Sequence, residues 1–543
     1  MDPKEILNFC FEKGILMDKD TFNMFKDTND VNSVKFILEK VKEATHQKII
    51  TREVITGNRE SLNKVLQSLP KEKQKRFEKL KISLGMSIEI SKEDTDTREN
   101  GIDILPDSEK REFSITNAER NNFQVNNTEG NNPKVKILSR FPFSRKKLEM
   151  SDFNNFFRSR FSGLKMILEN NPRLENLISI DKIFGINQKF SIIGMVYDKR
   201  TTKNKNIIFE VEDLTGKIKV VVTQKNKEQF KMAENVALDS VMGFSGSGNK
   251  EILFANEVVF PDAGLLEKKK APVEESVVFI SDIHVGSKNF KEENFLNFID
   301  YLNGKIGDTD ESEKIKYLFV VGDLVAGVGV YPNQEKELFI KDIEAQYTKF
   351  AEYISKIRND ITIVIIPGNH DCVRLMEPQP LLDEKYAWTL YNLKNVLLTS
   401  NPSIVNIGST EKFPGFNILM YHGFSYPYYA HNIPSLIEEK AGQFPDKVMK
   451  YLLKNRHLAP THTSVQHSPS EQDHLIINPI PDIFVSGHVH KNTASYHNNI
   501  LVLSTSCWED LMPYQEKMGF ESDYCKVPLF NLKTGKLKIL DFE

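Results

Sequence analysis

Apolar and polar positions follow three rhythms along the chain. In residues 1 to 80 apolar side chains recur at helical spacing, as in "VNSVKFILEKVKEA", where Val31, Val34, Ile37, Leu38 and Val41 fall on one stripe. A stripe of this kind lets a helix bury one side and solvate the other, so a small helical domain is expected over 1–80. From 178 to 262 the rhythm shortens to alternation in "KFSIIGMVYDKR", "NIIFEVEDLTGKIKVVVT" and "NVALDSVMGFSGSGNKEILFANEVVF". Period two marks half-buried strands, and "DLTG" between two of them has the composition of a hairpin turn. Several short strands in succession predict a small β-barrel of the OB type, preceded by the helical stretch "DFNNFFRSRFSGLKMIL", together spanning 151–265. The run "GSGN" at 246–249 lacks the lysine and the helix of a phosphate loop and is expected to be a hairpin turn.

A third rhythm begins near 276. Unbroken apolar runs ("VVFI", "YLFVVGD", "ITIVIIPGNHD", "FNILMYHG", "DIFVSGHVH", "ILVLST") alternate with amphipathic helical stretches. Strands apolar on both faces are sheet strands covered by helices, so 276–543 is expected to be an α/β domain. Between the helical and barrel regions, residues 81–150 are polar and asparagine-rich and predict a flexible linker ending in the basic stretch "SRFPFSRKK".

Composition changes the picture in two places. Four cysteines without a C-x-x-C pair argue against a disulfide framework and a thiolate zinc site. No apolar run approaches a membrane span and the first residues lack a secretory pattern, so a cytoplasmic location without membrane contact is expected. The net charge of −3 neither demands nor excludes nucleic acid. Histidine is more telling, because eleven of the twelve lie between 284 and 497.

Those histidines sit where the apolar runs stop. The first run ends on Asp282-Ile283-His284, where residues two apart on a strand would share a face. The following runs end on Gly322-Asp323, Gly368-Asn369-His370-Asp371, His422-Gly423 and Gly487-His488-Val489-His490. Polar residues at the carboxyl ends of strands converge on one edge of an α/β sheet, where such folds place their sites. Carboxylate, amide and imidazole without thiolate suit a pair of divalent cations, the candidates being Mn²⁺ first, then Mg²⁺, Fe²⁺ or Zn²⁺. One carboxylate bridging two ions about 3.5–4 Å apart is the geometry used in phosphoryl hydrolysis.

The motifs D-x-H, G-D, G-N-H-D, H-G and G-H-x-H, in that order over 282–490, resemble those of the calcineurin-like metallophosphoesterases. The resemblance implies that Asp282, His284, His490 and Asp323 hold a first metal. Asp323 would bridge to a second, completed by Asn369, His422 and His488. His370 would act on the leaving oxygen, with Asp371 either orienting it or packing the loop.

Further stretches, "GDLVAGVGVYPNQE", "IPGNHDCVR", "LLKNRHLAP", "PDIFVSGHVHKN" and "STSCWEDLMPYQEKMGF", resemble the small-subunit family of the archaeal family D DNA polymerases. That likeness covers most of 150–543 and includes the order helical domain, linker, OB barrel, phosphoesterase. It implies a 3′–5′ exonuclease with catalytic Asp323 and His370, acting on single-stranded or primer-template DNA. The implied partner is a large catalytic subunit, with other replication factors as further candidates. Cys507, Glu509 and Asp510 depart from the threonine and glutamine more usual around Trp508.

Candidate DNA contacts are Arg374 and Tyr426, against capping or buried pairing for the arginine and wall packing for the tyrosine. Arg456 and His457 carry the same alternatives as Arg374. His431, His462, His467, His474 and His497 match no motif. Two other readings are a free-standing metal-dependent phosphatase or phosphodiesterase, and a scaffold subunit with little nuclease activity.

Overall fold

The structure, a computed structural model, describes residues 135–141, 147–185, 188–510 and 523–543, with positions 9–10, 13–17, 34–35, 38–39, 42 and 49–50. The chain divides into two compact units, Met1–Phe113 and Ser114–Glu543. In the first, Val34 and Leu38 are helical, four apart and buried, as the stripe requires. A parallel pairing of Leu16–Met17 with Ile49–Ile50 adds a short strand pair to the expected helices. Val31, Ile37 and Val41, residues 81–134 of the expected linker and most of "SRFPFSRKK" lie outside the described residues.

The second unit begins with a departure from expectation. Residues Val135–Arg140, at the end of the expected linker, form strand β1. Val135 and Ile137 turn inward while Lys136 and Leu138 face out, a short alternation hidden in polar surroundings. Next comes α1 (Met150–Leu168), the expected helix, which buries Phe156, Phe161, Leu164 and Leu168.

The barrel follows as β2 (Gln188–Thr201), β3 (Ile207–Glu212), β4 (Lys217–Val222), β5 (Val241–Gly248) and β6 (Ile252–Val259), closed in the order β2-β3-β4-β6-β5. Alternate inward residues such as Phe190, Ile192, Phe209, Val211 and Val220 fill its interior. "DLTG" is the β3–β4 turn: Asp213 Oδ1 accepts from the backbone N–H of Thr215 and of Gly216, fixing Glu212 opposite Lys217. The "GSGN" glycines lie inside β5, and the turn falls on Asn249, whose side chain accepts from the N–H of Glu251 and Ile252.

Two six-stranded sheets then stack face to face. One contains β7 (Ser276–Ile280), β8 (Ile315–Val321), β9 (Thr362–Ile366) and β10 (Val396–Leu398), with β16 (Lys526–Asn531) and β17 (Leu537–Asp541) beyond β7. The strands β7 to β10 are parallel. The other sheet runs β14 (Thr493–His497), β15 (Ile500–Ser504), β13 (Ile483–Ser486), β12 (Phe416–Met420), β11 (Ser403–Ile407) and β1. Val277, Phe279, Phe319 and Val364 meet Val405, Ile418, Val485 and Leu503 between the sheets. Helices Glu292–Leu302 and Ile343–Ser355 cover the first sheet, and Pro445–Asn455 the second, through separate apolar clusters. The multidomain α/β architecture expected from sequence, a helix-covered double sheet behind an OB barrel, is therefore present. Among the described residues no helix is long and apolar enough to cross a membrane.

Candidate metal centre

Five strands, β7, β8, β9, β12 and β13, deliver polar side chains to one edge of the stacked sheets. The shared face expected for Asp282 and His284 arises differently from a strand alternation. β7 stops at Ile280, and both residues adopt left-handed backbone, with φ of 51° and 53°. Asp323, His488 and His490 do the same at 51°, 69° and 57°. Such backbone costs a non-glycine residue about 1–2 kcal/mol, so the surrounding hydrogen bonds must impose it. Asp282 N–H donates to Gly322 O at 3.0 Å, Ile283 N–H to Asp323 O at 2.8 Å, and His488 N–H to Asp282 Oδ2 at 2.9 Å.

The side chains form three overlapping groups with ligand atoms within 4.8 Å of one another: Asp282, His284 and His490; Asp323, His422 and His488; and His284, Asp323 and His370. His490 Nε2 lies 3.4 Å from Asp282 Oδ1, and His422 Nε2 lies 3.3 Å from Asp323 Oδ2. Asn369 Oδ1 completes the second group at 3.0 Å from His422 Nε2. His422 Nδ1 donates to Val321 O at 2.9 Å, which turns its Nε2 lone pair inward. His370 is held likewise, its Nδ1 donating to Ala326 O at 2.8 Å. Asp371 does not touch that ring. Its carboxylate accepts from Gly368 N–H, Leu324 N–H and Tyr347 O–H, so it ties the loop together.

Burial alone would neutralise Asp282 and Asp323. Neighbouring imidazoles outweigh it: His490 holds Asp282 down at about 2, and His422, His370 and His284 hold Asp323 well below the usual carboxylate range. Reciprocally, burial disfavours charge on His422, but Asp323 overrides it and raises the ring to about 10. His488, with less compensation, is pushed down by burial to about 3. Two fully buried carboxylates require positive charge, from imidazolium protons or from cations. With carboxylate, amide and imidazole donors but no thiolate in the groups, divalent cations fit this demand.

The motif glycines have a packing reason. A Cβ on Gly368 would lie 2.2 Å from Asp323 Oδ1, and one on Gly487 would lie 2.5 Å from Asp282 Oδ2. Both oxygens are already held, Asp323 Oδ1 by His370 N–H and Asp282 Oδ2 by His488 N–H. Gly368→Ala is therefore expected to weaken divalent-ion uptake by the folded chain, measured by equilibrium dialysis; unchanged uptake would contradict the close-packing explanation.

Outside the groups the structure corrects several expectations. Tyr426 is 1% exposed and packs edge-on to Tyr421 at 5.9 Å, so it presents no face on which a base could stack. Arg374 is half-buried over the Phe141 ring at 5.0 Å and donates to Pro378 O, which matches buried pairing rather than an open phosphate contact. Arg456 donates to Ile477 O, and His457 faces Asp473 at 2.8 Å. Two side chains at the site were not assigned to it by sequence: Phe424, its ring 5.4 Å from His488, and Glu509, noted only as a departure beside Trp508, 3.8 Å from His284. Phe424 follows H-G directly, and Glu509 lies in the unusual stretch around Trp508, so proximity to a motif was the available signal for the first alone.

Residues 276–492 match the calcineurin-like phosphoesterase family, and residues 190–251 match the OB-fold nucleic acid binding domain. Over 398 residues the chain is 38% identical to the DNA polymerase II small subunit of Methanothermobacter thermautotrophicus, an alignment covering 73% of this chain and 80% of that protein. The Pyrococcus furiosus DNA polymerase II small subunit is 38% identical over 72% of this chain and 63% of its own length. That of Halobacterium salinarum is 34% identical over 73% and 75%. With a metallophosphoesterase domain, an OB barrel and relatives matched across both, the chain belongs to the family of DNA polymerase II small subunits.

Proposed function

We propose that the chain is the proofreading subunit of a two-subunit family D replicative DNA polymerase, a 3′–5′ exonuclease acting on single-stranded or mispaired DNA ends. The observation that carries this is the pair of ligand groups hinged on Asp323, with His370 beside the hinge. Asp282, His284 and His490 would hold one divalent ion and Asn369, His422 and His488 a second, with Asp323 reaching both; Mn²⁺ is the proposed metal. Bound ions would supply Lewis-acid stabilisation of the phosphoryl oxygens and a water acidic enough to attack phosphorus.

The protein's own part is positional. Backbone hydrogen bonds and left-handed turns fix the ligands before any substrate arrives. His370, tethered through Nδ1–H to Ala326 O, presents Nε2 to the same space and, as imidazolium, would protonate the departing 3′ oxygen or stabilise its charge. The likeness to named small subunits supports a large-subunit partner carrying the polymerase site, and the OB-fold match supports contact with nucleic acid. A location on the nucleoid accords with that role.

Mn²⁺-dependent digestion of 5′-labelled single-stranded and mismatched-primer DNA, by the chain alone and with its large subunit, tests the proposal. Progressively shortened labelled products are expected. Intact DNA in both mixtures would sink it; accompanying activity on phosphate monoesters would favour a free-standing phosphatase, and inertness with metal bound a scaffold.

A further inference from the structure

Acidic groups at this site are not confined to the five motifs. Glu509 is 4% exposed, and its Oε1 lies 3.8 Å from His284 Nε2. That nitrogen also faces Asp282 Oδ1 and Asp323 Oδ2, each at 3.9 Å, and His490 Nε2 at 3.3 Å. The other Glu509 oxygen, Oε2, is buried without a hydrogen-bond partner among the described residues. A carboxylate withdrawn from water with one oxygen unsatisfied is costly, and such groups in folded proteins call for a compensating ion or role.

The backbone explains why it points there. Trp508 is buried against Phe295 and Phe298, with ring centroids 4.9 and 5.4 Å away. Trp508 N–H donates to Asp282 O at 3.0 Å, and its carbonyl accepts from Lys291 N–H at 2.8 Å. Glu509 pairs with Phe290 as an isolated bridge, so the segment is extended and neighbours of Trp508 turn the opposite way. Cys507 Sγ donates to Glu509 O at 3.3 Å, and Glu509 Oε1 meets His284 Nε2 at 3.8 Å. The anchored tryptophan thus places the Glu509 carboxylate beside His284 of the first ligand group.

We propose that Glu509 is an additional carboxylate of the first metal position, adding negative charge to an ion held by Asp282, His284 and His490. The proposal rests on the metal-centre assignment above. A further oxygen donor biases this position toward hard cations such as Mn²⁺ and Mg²⁺ over Zn²⁺.

The test is calorimetric Mn²⁺ titration of the chelator-stripped full chain, with Glu509→Gln and Glu509→Asp beside the natural sequence. Glu509→Gln is expected to weaken one Mn²⁺ site by about 10- to 100-fold and spare the other, the range typical of residues supporting a metal site. Glu509→Asp should fall between. Without metal, the Gln variant should unfold at the same temperature or higher, because a neutral amide replaces an unsatisfied carboxylate, while its Mn²⁺-induced rise in Tm shrinks. A lower metal-free Tm with unchanged Mn²⁺ affinity would make Glu509 merely structural and overturn the proposal alone. Failure of the unsubstituted chain to bind Mn²⁺ would overturn the metal-centre assignment with it.

Discussion

Replacing His370 with alanine is expected to slow hydrolysis of labelled single-stranded DNA by about 10²- to 10⁴-fold, the usual contribution of a positioned acid or base, while leaving Mn²⁺ uptake intact. The separation follows from how the residue is built in. Its backbone N–H donates to Asp323 Oδ1 at 2.8 Å, and alanine keeps that bond. What alanine removes is the ring, edge-on to His284 at a 4.7 Å centroid distance and held by Ala326 so that Nε2 faces the groups. Single-turnover rates at saturating DNA, measured beside metal titrations, distinguish the roles. Parallel loss of metal and rate would make His370 a ligand through the group it shares with His284 and Asp323. An unchanged rate would remove it from the chemistry altogether.

The site was legible in sequence because its ligands follow apolar runs that can only be buried strands. Once β7, β8, β9, β12 and β13 are parallel or adjacent in two stacked sheets, residues just past their ends have one edge to occupy. The barrel was legible for a similar reason: period-two alternation and the turn at Asp213 leave few other ways to bury Phe209 and Val220. Less local features stayed hidden. β1 has only six residues, and its pairing with β11 more than 260 positions away is what makes it a strand. Left-handed backbone at Asp282 and His488 is held by hydrogen bonds between separate loops, not by their own propensities. Tyr426 follows the H-G motif closely enough to suggest the site wall, but its helix turns the ring into the core behind it. The burial of Glu509 depends on Trp508 finding Phe295 and Phe298, a contact between segments over 200 residues apart.

A second consequence invisible in sequence concerns Arg160, which is expected to hold the barrel side of the unit to the phosphoesterase. It lies in α1, whose Phe161, Leu164 and Leu168 pack with Ile193, Met195 and Val241 of the barrel. The guanidinium enters the other domain, pairing with Asp473 at 2.6 Å with both side chains fully buried, and donating to Pro460 O at 2.6 Å. The Phe156 and Phe157 rings lie 5.1 and 5.0 Å away. Burial would raise the Asp473 carboxyl, yet His457 and Arg160 hold it far below its ordinary range. Removing the arginine strands that carboxylate, and breaking a buried pair by deleting one partner typically costs about 3–5 kcal/mol. Arg160→Ala should therefore lower the urea midpoint of the full chain by that amount of stability, and should separate barrel unfolding from phosphoesterase unfolding. Replacing both partners by apolar residues, Arg160→Met with Asp473→Leu, is expected to recover most of the loss, because no charge is then left without its counterpart. A loss below about 1 kcal/mol for Arg160→Ala, the range of an exposed pair, would show that the apolar face of α1 alone fixes the two domains.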